Sequence, residues 1–179
     1  KKTAALIQDA ANRLDYTVNL QAQGLRLGKS RNIMVILPDR GTSLGVGHVV
    51  SSVLQGIDEE LTNHNYNILV VNFSRSQHGE ANAVEIAHSG LVQGAIIVSG
   101  TPPQAGRRSL LTSKISLVAV MRDLTHQKIP SILGSDRTAI ARLTRHLIEL
   151  GHKRFAYVSG PRGSYHDNER FGGVPVSYT

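Results

Sequence analysis

The chain has 179 residues, no cysteine, and 20 Lys and Arg against 13 Asp and Glu, a formal charge of +7. That length lets a fold bury about 70% of its unfolded surface without staples, and the lack of Cys excludes a disulfide framework, thiolate metal sites and cysteine nucleophiles. No apolar run approaches the roughly 18 residues of a membrane span and the start lacks a signal-peptide pattern, so a cytoplasmic α/β protein without membrane contact is expected. The charge is uneven. Lys1, Lys2, Arg13, Arg26, Lys29 and Arg31 face only Asp9 and Asp15 in residues 1–31, a basic arm on a nearly neutral body. Such an arm either contacts a polyanion or is simply solvated.

Thr3 to Leu14 reads as a helix, with Thr3 as cap and Leu6, Ile7, Ala10, Ala11 and Leu14 on one face. It is too short to persist alone in water. Residues 19–27 form a second, weaker helical stretch, with Asn19 as a possible N-cap and Gly24 costing about 1 kcal/mol in its interior. The texture changes at Asn32. Ile33-Met34-Val35-Ile36-Leu37 is a continuous apolar run stopped by Pro38, as expected of a strand buried on both faces of a parallel sheet.

A helix is predicted from about Gly47 to His64, a strand over Asn67–Phe73, a helix over Ala81–Leu91 and a strand over Ala95–Val98. Pro102-Pro103 marks a loop, followed by a short helix near Gln104–Ser113 and a strand over Ser116–Met121. A short strand at Ser131–Gly134 leads to a helix over Asp136–Leu150 that Gly151 ends. Arg154–Ser159 reads as a further strand. Strands alternating with helices call for a doubly wound parallel sheet with right-handed crossovers. Ligands of such sheets sit beyond the carboxyl ends of the strands. The loops that matter are therefore 38–46, 73–79, 99–103, 122–125 and 160–168.

No enzyme is expected. Gly45-Val46-Gly47 stands where a dinucleotide fingerprint would, but Val50 holds the third glycine position and strand two ends in Asn72 rather than an acid. The histidines show no metal-ligand spacing. There is no G-x-S-x-G, and Ser164, His166 and Asp167 are sequence neighbours, whereas triads converge from different elements. No cofactor or metal is therefore expected. Arg107, Arg108, Arg142 and Arg145 read as exposed charges. Arg170 lies just past the loop after the last predicted strand, where a planar fork suits a carboxylate, phosphate or polar sugar group. On the residues alone, a surface arginine is the simpler reading.

An ordered series of short matches adds to this. Leu14-Asp15-Tyr16, the run Asn19 to Ser30, Ile33 to Asp39, Gln55-Gly56-Ile57, Tyr66, Val92 to Ile97, Gly151 to Ala156 and Gly160-Pro161 stand in register with one pattern. The chain resembles the lactose-repressor/galactose-repressor family of bacterial transcription regulators over roughly residues 2–173.

The resemblance implies four parts: residues 1–18 end a DNA-binding headpiece, 19–31 are hinge helix and linker, 32–150 are the N-terminal lobe of a periplasmic-binding-protein-like effector core, and 151–179 start a C-terminal lobe. The hinge helices of a homodimer would lie in the operator minor groove, with Leu25 as an apolar wedge that kinks the duplex. Asn19, Gln21, Ala22 and Gln23 would lie along the groove, and Arg26, Lys29 and Arg31 near phosphates. Gly24 suits a helix that folds on binding.

Asp39 and Arg40 would face the effector, with Arg170 as the effector-contacting arginine of the second lobe's first helix. Ser164 and His166 match variable contact positions. The effector would be a small molecule, a sugar or related metabolite in the family's pattern, and its binding would shift the lobes and so the spacing of the hinge helices. The departures matter too. The helix-turn-helix is not upstream and residues 174–179 leave the pattern, so the chain is expected to be a fragment lacking most of the headpiece and second lobe. Asn65 replaces a favoured Gly, and Arg40 to Ser43 replace a polar-Pro-aromatic pattern. A solute-binding protein of transport or chemosensing, without DNA binding, is the alternative use of such a core; a basic arm would then have no purpose.

Overall fold

A computed structural model describes residues 2–17, 24, 30–37, 46–72, 77–160 and 164–174. Helix α1 (Lys2–Arg13) opens the chain, followed by β1 (Asn32–Leu37), α2 (Val46–Asn63), β2 (Asn67–Asn72), α3 (Gln77–His88) and β3 (Gly94–Val98). Then come β4 (Gln104–Ala105), β5 (Arg108–Ser109), β6 (Ser116–Val120), β7 (Ser131–Ile132), α4 (Asp136–Glu149) and α5 (Tyr165–Gly173). Five strands form one sheet in the order β2-β1-β3-β6-β7, all neighbours parallel. The predicted α/β class and parallel sheet are what the chain adopts.

The register follows from the apolar runs. Ile33 pairs with Ile68 on one side and with Gly94 on the other, so β1 lies inside the sheet. Met34, Val35 and Ile36 are buried there, as are Ala95, Ile97 and Val98 of β3 and Ala119 of β6. Small residues Ala83 and Ala87 let α3 sit close on the sheet, and Val92, Leu110, Leu124 and Ile129 close the same core. Each such aliphatic side chain contributes about 1.5–3 kcal/mol by leaving water. The start of β1 is tied to the approach of β3: the Ser30 hydroxyl and the Asn32 side-chain Nδ2 both donate to the Leu91 carbonyl.

Helix ends follow the expected chemistry. Asn65 takes a left-handed φ of 58° after α2, and the Asn65 and Tyr66 amides donate to Thr62 and Leu61 carbonyls at 3.0 and 2.8 Å. This is a Schellman cap with Asn in the place usually held by Gly. Gly151 (φ 89°) ends α4 in the same way, with Gly151 and His152 donating to Ile148 and Leu147.

Two expectations fail. The short helix predicted near Gln104–Ser113 is instead the antiparallel pair β4–β5 and a 3₁₀ turn at Leu110–Thr112. Gly106 turns the pair at a φ of 59°, and Thr112 Oγ1 accepts from the Ser109 amide and donates to its carbonyl, fixing a tight turn that drives Leu110 into the core. The strand predicted at Arg154–Ser159 is not formed: no described strand pairs with it, and Val158 is 93% exposed. An alternating apolar pattern makes a strand only where a ladder partner lies beside it.

Candidate functional site

Among the described residues, the carboxyl end of the sheet carries two non-glycine residues in left-handed conformation, Ser99 after β3 (φ 54°) and Met121 after β6 (φ 63°). Such residues cost about 1–3 kcal/mol each and persist where their surroundings hold them. The Met121 amide donates to the Ile132 carbonyl at 2.9 Å, and its own carbonyl accepts from His166 Nε2 at 2.9 Å. That second bond brings α5 to the carboxyl edge of the sheet, where the topology places a ligand site.

Asp136, the first residue of α4, is the hub. Its Oδ2 accepts from His166 Nδ1 at 2.6 Å and its Oδ1 from Arg170 Nε at 2.8 Å. A carboxylate suits this position, the positive end of the α4 dipole. Both ring nitrogens of His166 are thus engaged by oxygens, one of a carboxylate and one of the main chain. Burial pulls the Asp136 carboxyl upward, but the hydrogen bonds from His166 and Arg170, with their charges, outweigh it and leave it below the ordinary carboxylate range. The Asp136 and His166 side chains are only 15% and 19% exposed, whereas that of Arg170 is 52% exposed. The hub is largely buried and the arginine that meets it is half in water.

Around it, Ser164 caps α5, its hydroxyl accepting from the Asp167 amide at 3.4 Å. Asp167 Oδ1 accepts from the Gly160 amide and the Tyr157 hydroxyl, both at 2.8 Å, and these two bonds in that order hold its carboxyl below the usual range. The Tyr157 hydroxyl is correspondingly raised, first by that hydrogen bond and then by desolvation. Tyr157 and Phe171 meet edge to face at 5.5 Å.

Arg137 joins α4 to α5. Its Nε and Nη2 donate to Glu169 at 3.1 and 3.0 Å and its Nη1 to the Gly172 carbonyl at 3.3 Å. The Arg137 hydrogen bond holds Glu169 low. A Cβ on Gly172 would lie 2.6 Å from the Arg137 guanidinium, and one on Gly173 would lie 2.4 Å from the Arg137 carbonyl. At Gly173 the obstacle is main chain, so only glycine allows the approach there, whereas at Gly172 the Arg137 side chain can swing aside.

The structure thus brings together Ser164, His166 and Arg170. Asp39 and Arg40 lie outside the described residues, as do Asn19, Gln21, Ala22, Gln23, Leu25, Arg26 and Lys29. Sequence reasoning missed Asp136, which reads there only as an acid in the first turn of a helix. Among the described residues no cluster of three or more His, Cys, Asp or Glu is placed to hold a metal, and no helix is long and apolar enough to cross a membrane.

The parallel sheet, with a polar cluster at its carboxyl edge, defines a binding-protein-like α/β core. Residues 30–175 match the family model described as periplasmic binding proteins and sugar binding domain of LacI family, and the chain belongs to that family. It is 27% identical over 158 residues to catabolite control protein A of Priestia megaterium, covering 88% of this chain and 46% of that protein. It is 26% identical over 159 residues to the HTH-type transcriptional regulator PtxS of Pseudomonas aeruginosa, covering 89% and 45%. The fold is similar to that of the transcription regulator CcpA of Lactococcus lactis, with a TM-score of 0.66 at 23% identity over 83% of this chain and 53% of that one. A transcriptional regulator CelR–cellobiose complex matches with a TM-score of 0.67 at 17% identity, over 88% and 50%. The chain spans about half the length of the curated relatives it matches.

Proposed function

We propose that the chain is part of a transcription regulator, a repressor whose hold on operator DNA answers to a small-molecule effector. The chain belongs to a family whose curated relatives are named as regulators, and the observation that carries the effector reading is the placing of Arg170, whose side chain stands beside Asp136 near the carboxyl edge of the sheet and is about half exposed. The relatives' names favour this over a solute-binding protein of transport. The family description names sugar binding, and two similar folds are titled as complexes with cellobiose and with fructose 1-phosphate. A sugar or a related metabolite is accordingly the effector class, met by Arg170 and Ser164 from α5 and by Asp39 and Arg40 from the loop after β1.

In this reading residues 1–18 end the headpiece and residues 19–31 are hinge and linker. Asn19, Gln21, Ala22, Gln23, Leu25, Arg26 and Lys29 meet DNA in a homodimer, in the cytoplasm, without a cofactor. The first lobe begins at residue 32. Because α4 packs chiefly against α5, α4 is best grouped with the second lobe. No catalysis is assigned.

The test uses the regulator that carries this chain. Operator duplexes are selected from a random pool and binding is followed by fluorescence anisotropy across a salt series. The expected result is specific binding with a steep salt slope, weakened about tenfold or more by Leu25→Ala, in line with the loss of an intercalating wedge, while the urea midpoint stays put. No selected sequence, or equal affinity for mutant and parent, would sink the regulator reading or the wedge respectively.

A further inference from the structure

The described chain from β1 onward packs as two bodies. The sheet, with α3 on it, is built around one core. Helices α4 and α5 pack chiefly on each other, pinned by Arg137 with Glu169 and by the close approach of Gly173 to the Arg137 carbonyl. Leu133, Gly134 and Ser135 connect the two, and all three are exposed. A Cβ on Gly134 would meet only Asp136 Oδ2, at an ordinary 3.8 Å, so packing leaves this connection room to turn. Three exposed residues do not by themselves set an angle.

His166 reaches across. It lies in the first turn of α5, its side chain is 19% exposed, and its Nε2 donates to the Met121 carbonyl at 2.9 Å, 45 residues back along the chain. The acceptor is itself held, because the left-handed Met121 donates its amide to the Ile132 carbonyl of β7. The neighbouring Tyr165 reports the same closeness. Its hydroxyl is raised first by desolvation and then by the charges of Glu169 and of Asp123, and Asp123 belongs to the loop after β6.

We propose that His166 is a clasp: its Nε2 bond to the Met121 carbonyl holds the α4–α5 pair at one angle to the sheet, with residues 133–135 as the hinge that turns when the bond opens. This is a different task from the ligand contact that the family resemblance implies for His166. One hydrogen bond shifts a population about two- to tenfold, so the clasp biases the angle without freezing it. A ligand can select an angle only by binding it better than the others, and a clasp of this strength leaves the others within reach. The clasp acts with nothing bound, so it stands or falls apart from the effector reading.

The chain has no cysteine, so two spin labels can be placed without background, by Glu85→Cys on α3 and Arg145→Cys on α4, both exposed. Electron–electron double resonance then reads the distance between the two bodies in the full chain, with no ligand added. It is measured in the parent and with His166→Ala, His166→Gln and His166→Asn. Gln keeps a donor near the place of Nε2; Asn keeps one near Nδ1 alone. Amide exchange in β1, β3, α4 and α5 reports that each body is folded.

The parent should give one narrow distance. His166→Ala and His166→Asn should at least double its width or add a second distance, and His166→Gln should stay close to the parent. A parent as broad as His166→Ala, or a His166→Ala as narrow as the parent, overturns the clasp. Equal widths for Gln and Asn, or a narrow Asn beside a broad Gln, overturn the Met121 carbonyl as its anchor. Should His166→Ala not fold, the contrast between Gln and Asn decides alone.

Discussion

Across the central sheet, Met34, Val35, Ile97, Val98 and Ala119 are buried with no charged neighbour among the core residues. Between α4 and α5 the order is reversed. The contacts there are Asp136 with His166 and Arg170, and Arg137 with Glu169, joined by Asp167 with Tyr157 of the segment between the helices; the two arginines are about half exposed and Asp136 and His166 largely buried. Burial of apolar area is non-directional and indifferent to pH, whereas charged hydrogen bonds fix angles and answer to protonation. The sheet supplies stability, and the helix pair supplies orientation at modest strength. A site that must hold side chains in place and yet yield to a ligand belongs on the second kind of contact.

The sharpest way to break that contrast is to attack the sheet. Ile97→Ala removes a fully buried side chain in the middle strand and should cost about 2–5 kcal/mol, lowering the urea midpoint of the whole molecule. A loss confined to β3 would mean the sheet is not one cooperative unit. Next comes Gly173→Ala, whose added methyl meets the Arg137 carbonyl. It should cost about 1–3 kcal/mol by overpacking, and amide exchange should quicken in α4 and α5 while β1 and β3 stay protected. Uniform quickening would contradict the separation.

The smallest effect is that of acid. Asp136, Asp167 and Glu169 all have carboxyls held below their ordinary values in the folded chain. Groups depressed by folding stabilise it above their unfolded pKa, and that stabilisation is lost as pH falls through the folded value. The α4–α5 contacts should therefore hold from neutrality down to the ordinary carboxylate range and loosen below it. The Tyr157 and Tyr165 ring signals should move before any sheet resonance does. Simultaneous movement of both would show that acid acts on the whole fold.

The sheet was largely legible because its strands are continuous apolar runs with no competing helical period, as in Ile33–Leu37 and Ala95–Val98. The caps were legible as well: Gly151 is a usual helix stop, and the tolerance of Asn for left-handed backbone allowed Asn65 its place. Two-residue strands such as β4 and β5 carry no period, so residues 104–113 passed for a helix. The segment Arg154–Ser159 has the composition of a strand, but composition does not supply the neighbour. At the site, Ser164, His166 and Arg170 came from the family resemblance. Asp136 could not be found, because its partners lie 30 and 34 residues away and nothing local marks the pairing. The tie of His166 to the Met121 carbonyl spans 45 residues and involves main chain, which no pattern encodes.

The strand order has a consequence for synthesis. β1 is inside the sheet, yet Ile33 meets Gly94 across a loop of about sixty residues. At about 5–20 residues per second, that partner emerges about 3–12 s after β1 does. Until then Asn-Ile-Met-Val-Ile-Leu has at most β2 to pair with, once that strand has followed it out, and its other edge is an open apolar template. The time during which this part of a nascent chain is exposed to aggregation, and in need of a chaperone, is thus written into the order β2-β1-β3: among the strands of the described sheet, β1 leaves the ribosome first and waits longest for its second neighbour.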